Sequence, residues 1–448
     1  MVVHEKAPKD VRNGGPHPQR GHPSSSAGDS RGGPAVKRTG GGWPKKSGWL
    51  IVVLFAIVLT GCWDRVEVTD LALVIGMGID DAGQNGVDVT VQLLSPTGQT
   101  IGGEQGQGTM GGSDSSGKRA FINYQQRGKT VQEALDRLYR VLPRRPFVAH
   151  NTVVVFGRRY AEKGFDQALD YIERERNFRR SQMFVVTSGT ARELLDVQTS
   201  PERVNARGLR KLVDQQLRTS ITEPSVELRV VNDLLSPSQS PVMAWIDPVN
   251  NEPRVMGVGL FQGGKLVDLL PARESQGLMW LLGRSGQAFI HIPCPGGSPS
   301  STSQRLSVRL INTKLHVDPV MTPSGVVFRV RGYGQGEVDA VCEGETPTPE
   351  RMREWGQQVA QYMETEMDRT LQRLKAKHVD AAQFGNRLFR RNPELWRSVA
   401  RRWPELFSKC RAEYDLQINL QRSGMISQSP LEDRSPENYP PRQGHGRR

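Results

Sequence analysis

The chain has little of what catalysis, metal binding or electron transfer requires. Its 448 residues contain eight histidines. The five that follow residue 62, His150, His291, His316, His378 and His445, include no i, i+4 pair, so nothing local implies a metal site. The four cysteines, Cys62, Cys294, Cys342 and Cys410, show no Cys-x-x-Cys spacing, which leaves zinc and dithiol chemistry without support. The glycine-rich loops fail their patterns. Gly128-Lys129-Thr130 has Asn123 where a phosphate-binding loop needs a glycine. Gly76-Met77-Gly78 has Asp81 where a dinucleotide loop needs its third glycine. Gly283-Arg284-Ser285-Gly286 lacks the spacing of a nucleophile elbow. The carboxylate pairs Asp80-Asp81 and Glu343/Glu345 sit in glycine-bounded stretches and read as solvated turn residues. The expectation is a protein that is not an enzyme, with no catalytic residue, metal site or cofactor. The net charge is +13, yet no basic run is interleaved with aromatics, so no nucleic acid partner is expected. No apolar run approaches the ~20 residues that a membrane-spanning helix needs.

What the chain does have is a shorter run. Lys45 and Lys46 precede an unbroken apolar stretch from Trp49 to Leu59, followed by Thr60, Gly61 and Cys62. Positive charge, apolar core and small residues in that order describe a secretory signal peptide. Leu59-Thr60-Gly61-Cys62 also resembles the lipobox of bacterial lipoproteins, which implies cleavage before Cys62 and a diacylglycerol on its sulfur. A plain signal peptide or an anchor helix with a chance cysteine is the competing reading. Residues 1–46 carry nine Lys/Arg against three Asp/Glu and almost no large apolar residue, a composition that cannot offset its ordering entropy. A start at Val36 would leave an n-region of ordinary length, so residues 1–35 are suggested to reflect a mis-assigned start, with a real leader as the alternative. With Cys62 assigned to lipid, the remaining three cysteines permit at most one bridge, and they read as small buried apolar residues.

After Cys62 the chain reads as mixed α and β. Leu71–Ile75 and Val87–Leu93 are predicted strands, with residues 80–86 as the turn between them. Residues 98–117 read as a mobile loop. Thr130 and Thr190, each followed three residues later by a glutamate, predict capping boxes. Helices and strands then alternate up to about residue 200. The second half opens with a hairpin around Gln262-Gly263-Gly264 and an apolar helix ending at Gly283. From Leu306 to Val317 the apolar positions jump register, which predicts a β-bulge near Leu310. Thr348-Pro349 predicts the start of a long helix on the order of 40 Å. Its Met and aromatic stripe, like Trp280, Trp396 and Trp403, reads as core. The expected class is α+β: a mixed N-terminal half and a C-terminal antiparallel sheet packed with the long helix. The boundaries expected are a basic extension over 1–46, a signal peptide over 47–61, an N-terminal domain over 62–200, a linker over 201–253, a C-terminal domain over 254–422 and a polar tail over 423–448.

Five segments together resemble one family. They are Gly61-Cys62-Trp63-Asp64-Arg65; Gly76-Met77-Gly78-Ile79-Asp80; Gly257-Val258-Gly259-Leu260-Phe261 with Lys265-Leu266-Val267; Glu274-Ser275-Gln276-Gly277-Leu278-Met279-Trp280-Leu281-Leu282-Gly283; and Asn392-Pro393-Glu394-Leu395-Trp396 with Trp403-Pro404-Glu405-Leu406-Phe407. In this order, behind a lipobox, they resemble the Ger(x)C lipoproteins, the C subunits of spore germinant receptors. The resemblance implies a non-catalytic lipoprotein of the spore inner membrane, with its body on the outer face and Cys62 as its lipidation site. Its implied partners are membrane lipid and integral-membrane A and B receptor subunits. A lipid-anchored solute-binding protein of a transporter is the alternative, and it would need two similar α/β lobes around a cleft.

Overall fold

The computed structural model describes residues 67–84, 86–95, 120–294, 305–322, 325–342 and 345–422. In chain order these form β1 (Leu71–Gly83), β2 (Gly86–Leu94), β3 (Phe121–Gly128), α1 (Val131–Leu138), β4 (Arg145–Phe147), β5 (Val153–Phe156), α2 (Arg158–Lys163), α3 (Asp166–Arg174), β6 (Met183–Val186), α4 (Ala191–Asp196), α5 (Asn205–Gln215), α6 (Glu227–Leu234) and β7 (Val242–Val249). There follow β8 (Glu252–Gln262), β9 (Lys265–Pro271), α7 (Ala272–Leu282), β10 (Ala288–Pro293), β11 (Arg305–Thr322), β12 (Gly325–Ala340), α8 (Pro349–Ala376), α9 (Phe384–Arg391), α10 (Pro393–Val399), α11 (Trp403–Lys409) and β13 (Arg411–Arg422).

The larger sheet runs β3-β2-β1-β5-β6-β7-β8-β9, with β4 paired to the start of β1. Its centre, β1-β5-β6-β7, is parallel and its flanks are antiparallel. A parallel centre needs cover on both faces, and β5 and β6 are buried at every position. Alternate residues serve opposite layers. Val154, Phe156, Phe184 and Val186 pack with residues of α1, α2 and α3. Val153, Val155, Met183 and Val185 pack with α4 and α5.

The smaller sheet, β10-β11-β12-β13, is covered on one face only. Its inward residues meet the stripe Trp355, Val359, Met363, Met367, Leu371 and Leu374 of α8. That helix starts at Thr348, whose hydroxyl accepts from the Arg351 N–H, with Pro349 in the first turn. It runs for 28 residues, or ~42 Å. The expected bulge is present: the register of β11 shifts between Leu310 and Asn312. Ile311 is the extra residue and is turned out, 43% exposed.

Four expectations are corrected. The first concerns residues 80–86. β1 does not end at Ile75 but continues through Asp80 and Asp81 to Gly83, paired to β2 as far as Gly83↔Gly86. The second concerns the link at 201–253: the amphipathic pattern at about Val204 to Leu217 does form a helix, α5, but the region also supplies α6 and β7. The short apolar run Val242–Ile246 supplies most of β7, which pairs in parallel with β6 and antiparallel with β8. The hairpin β8-β9 accordingly completes the larger sheet. It is shared between cores: Phe261 and Leu266 pack under α1 to α3, while Val258, Leu260 and Leu270 join the C-terminal core. The third concerns β13, which is parallel to β12 from Val327↔Arg411 to Val338↔Arg422. The long excursion through α8 to α11 gives the chain room for that crossover.

The fourth correction concerns cysteine. Cys294 and Cys342 form a disulfide across a sequence separation of 48, with Cα atoms 5.8 Å apart. Chain spacing alone could not select this pair from three. Cys410 is the one expected to be buried and apolar that stays so. Its Sγ faces the Leu406 carbonyl, and burial pushes the thiol up to about 12.

Candidate interaction surfaces

The segment Gly76-Met77-Gly78-Ile79-Asp80 lies in the middle of β1. Met77 and Ile79 enter one core. Gly76 and Gly78 face the other way, where a Cβ would lie 2.7 Å from the Ala206 Cβ and 2.9 Å from the Ala191 Cβ. Only glycine lets α4 and α5 approach this closely. Asp80 then accepts hydrogen bonds from the N–H groups of Ala191 (2.7 Å) and Arg192 (3.1 Å) at the start of α4. Burial pushes its carboxyl above the usual range, against those two donors. Asp81 is opposite: partial burial disfavours its charge, but Lys163 at 2.6 Å, the Gly83 N–H and Arg159 outweigh that and hold it below the usual range. The pair is thus a helix anchor and an ion-pair centre, not a solvated turn.

The loop at Gly128-Lys129-Thr130 is filled as well. A Cβ on Gly128 would stand 2.5 Å from the Ala134 nitrogen. Thr130 caps α1 by accepting from the Glu133 N–H, and the Glu133 carboxylate accepts from the Lys129 N–H rather than from Thr130. At Thr190 both bonds of the capping box are present. These caps take up the Lys129 and Glu133 N–H groups at the first loop and the Thr190 and Glu193 N–H groups at the second.

The segment Glu274–Gly283 is also consumed in packing. The Ser275 hydroxyl donates to the Leu270 carbonyl and accepts from the Val258 N–H, tying α7 to the β8-β9 hairpin. Gly277 marks the crossing with α8, where a Cβ would be 2.4 Å from Thr370 Oγ1. Glu274 and Asp268 both receive the Arg373 guanidinium. Trp280 is 0% exposed, and Gly283 ends the helix in the left-handed region at φ 68°.

A buried polar junction ties the segment after α5 to the C-terminal helices. The Arg284 guanidinium meets Glu223 at 2.5 Å and Asp233 at 3.3 Å. Gln383 donates to Asp233 at 2.6 Å. Beside it, Asp380 accepts from the N–H groups of Phe384 and Gly385, the Ser238 hydroxyl and the Trp403 indole, all within 2.6–2.9 Å. Burial pushes its carboxyl upward against those four donors. Asn392 caps α10 through the Leu395 N–H, and Trp396 and Trp403 meet at 5.3 Å between ring centroids. All three predicted core tryptophans are buried.

The described residues include three concave surfaces of note. One, of about 970 Å³, lies between the start of α8 (Met352, Arg353, Gly356) and residues 416–421 of β13. A second, of about 580 Å³, lies on the open face of the smaller sheet and presents Lys314, His316, Asp318, Arg331 and Tyr333. The third, of about 560 Å³, opens where β1 begins and is lined by Leu71, Leu73, Leu94, Ile122, Leu142 and Arg144.

The predicted site residues are spread accordingly. Cys62, the signal segment, the loop at 98–117, Glu343 and His445 lie outside the described residues. His150 packs edge-on against Phe147, His291 faces Ser307 and His378 faces the Pro404 carbonyl, so the structure does not bring them together. Among the described residues no group of three or more His, Cys, Asp or Glu could hold a metal ion, and no helix is long and apolar enough to cross a membrane. Sequence reasoning missed Arg284, Asp380 and the buried acid Glu227. Glu227 meets Gln182, and desolvation first, then Glu173 beside it, raises it to about 7. Nothing local in the sequence marks them, because their partners are remote.

Comparison with known proteins agrees with this architecture. Residues 64–248 match the spore germination protein N-terminal domain, and residues 256–424 match the spore germination B3/GerAC-like C-terminal domain. The chain is 25% identical over 392 residues to spore germination protein KC of Bacillus subtilis (strain 168), covering 81% of this chain and 93% of that one. It is 23% identical over 389 residues to spore germination protein B3 of the same organism, covering 84% and 97%. The crystal structure of the GerBC protein superposes with a TM-score of 0.51 at 19% identity, covering 77% of this chain and 96% of that chain, which shows a shared fold. With both domains matched in order across 64–424, the chain belongs to the Ger(x)C family of spore germination proteins.

Proposed function

We propose that the chain is a lipid-anchored, non-catalytic subunit of a germinant receptor in the spore inner membrane, needed for the response to nutrients. The observation that carries this reading is the ordered match of both germination domains directly behind Leu59-Thr60-Gly61-Cys62. Cys62 is the lipidation site, and two acyl chains suffice for stable anchoring. The Cys294–Cys342 disulfide supports a body outside the cytoplasm, because such bonds persist in oxidising compartments. The family segments support a role in assembly: Gly76, Asp80, Ser275, Gly277 and Trp403 are spent on holding elements together. The partners are integral-membrane A and B subunits, reached through the open surfaces. The two sheets are unlike each other, which favours this reading over a solute-binding protein with twin lobes.

The test is Cys62→Ala in the sporulating host. Mass spectrometry should find no diacylglycerol on the variant, the protein should leave the membrane fraction when the A and B subunits are absent, and spores should germinate poorly in nutrient. A variant that sediments with membranes as fully as the parent, with those subunits absent, would contradict the anchor. Failure of the parent protein to co-purify with integral-membrane germination proteins would contradict the receptor role.

A further inference from the structure

The third cavity has a setting that the other two lack. The chain enters β1 through a 3-10 turn at Val68–Asp70, and Thr69 of that turn lines the cavity. Cys62 is five residues before Glu67. Five residues span at most ~18 Å when fully extended. A lipid on Cys62 would therefore tether the entry to β1 at Glu67 within that length of chain. Ile122, 48% exposed, lines the cavity, and Tyr139 (53%) and Val141 (47%) stand just before Leu142 of its lining. Arg140, Arg144 and Arg145 are exposed beside them and form no ion pair among the described residues. The acids near them in the chain are Asp136, one helical turn before Arg140, and Glu67 and Asp70 at the entry to β1, where Glu67 receives the Thr69 hydroxyl at 3.5 Å. Aromatic and aliphatic side chains set among arginines suit the boundary between headgroups and acyl chains.

We propose that this end of the molecule is a second membrane contact, in which Arg140, Arg144 and Arg145 bind anionic lipid headgroups while Ile122, Tyr139 and Val141 sit at the interface. The inference rests on the Cys62 anchor for its geometry. It goes further by fixing which end of the body faces the bilayer, leaving the open face of the smaller sheet to protein partners. Each arginine near an anionic surface contributes about 1 kcal/mol, so the three together favour binding by on the order of a hundredfold.

The test uses the chain from Trp63 onward, without lipid. The three cores draw on residues between Ala72 and Leu420, so this chain keeps them whole. Binding is measured to vesicles of phosphatidylcholine alone and of phosphatidylcholine with one-third phosphatidylglycerol. The expected result is binding to the anionic vesicles only, weakened on the order of a hundredfold by combining Arg140→Ser, Arg144→Ser and Arg145→Ser. The control combines Arg397→Ser, Arg401→Ser and Arg402→Ser, which are exposed on another part of the surface and should leave binding within about twofold. Equal loss in the control would overturn the site by showing a response to total charge. No binding to either vesicle would also overturn it and assign the cavity to a protein partner. Because the lipid-free chain is used, these outcomes are independent of whether mass spectrometry finds lipid on Cys62.

Discussion

The two sheets solve the burial problem differently. β5 and β6 lie in the middle of the larger sheet with helices on both faces, and they are apolar at every position. The strands of the smaller sheet alternate, because only one face meets α8 and the other meets solvent. A two-sided sheet spends its surface on its own core, whereas a one-sided sheet keeps a broad face free. The difference teaches where surface is left open: on the outer face of β11, β12 and β13 and around the rim of the larger sheet. The hairpin β8-β9 joins the two designs. It is hydrogen-bonded into the larger sheet but contributes Val258, Leu260 and Leu270 to the core of the smaller one. The family boundary between residues 248 and 256 therefore falls between two neighbouring strands of one sheet.

Breaking the join gives the largest expected effect. A chain ending at Val249 retains the whole N-terminal match, yet β7 loses one of its two neighbours and the core loses Phe261 and Leu266. It should show no cooperative urea transition and should aggregate through the bared edge. Next in size is the C-terminal core. Trp280→Ala should cost ~3–5 kcal/mol in chemical denaturation. Tyr333→Ala, on the open face at 41% exposed, should stay within ~0.5 kcal/mol. Equal losses at the two positions would erase the contrast between covered and open faces. Cys342→Ala releases the bridge to Cys294 and should cost about 2–4 kcal/mol, read as a lower melting temperature.

A pH dependence tests the two-sided region. Glu227 is 1% exposed and is raised from 4.5 to about 7. A carboxyl that holds its proton more tightly when folded binds more protons in the native state. Stability from this group is therefore greatest below the unfolded value, falls as pH rises from about 4.5 to about 7, and stays low above. Glu227→Gln should flatten that slope, so that urea midpoints near about pH 5 and about pH 8 move closer together. An unchanged slope would show that Glu227 is charged and solvated.

Much of this was readable from local pattern. The Thr348-Pro349 helix start, the bulge at Leu310, the Gln262-Gly263-Gly264 turn and the tryptophan core follow from spacing and turn chemistry. Readability failed where a residue answers to a distant one. Asp80 looks like a turn residue until α4, more than a hundred positions later, places two N–H groups over it. β7 looks like part of a linker because the run before it, residues 236–241, is rich in Ser and Pro, and only its pairing with β6 and β8 shows its place. Cys294 and Cys342 are far apart in sequence, and the strands that bring them together carry no cysteine signal. The family segments were legible as resemblance, but their physical reason, close helix approach at Gly76, Gly78 and Gly277, appears only in three dimensions.

The claim that both family domains form one body through β8-β9 is tested most directly by calorimetry of the chain from Trp63 onward. The account predicts a single unfolding transition whose calorimetric and van't Hoff enthalpies agree, and the same single transition, shifted to lower temperature, for Trp280→Ala. Two separate transitions, with Trp280→Ala moving only one of them, would contradict it.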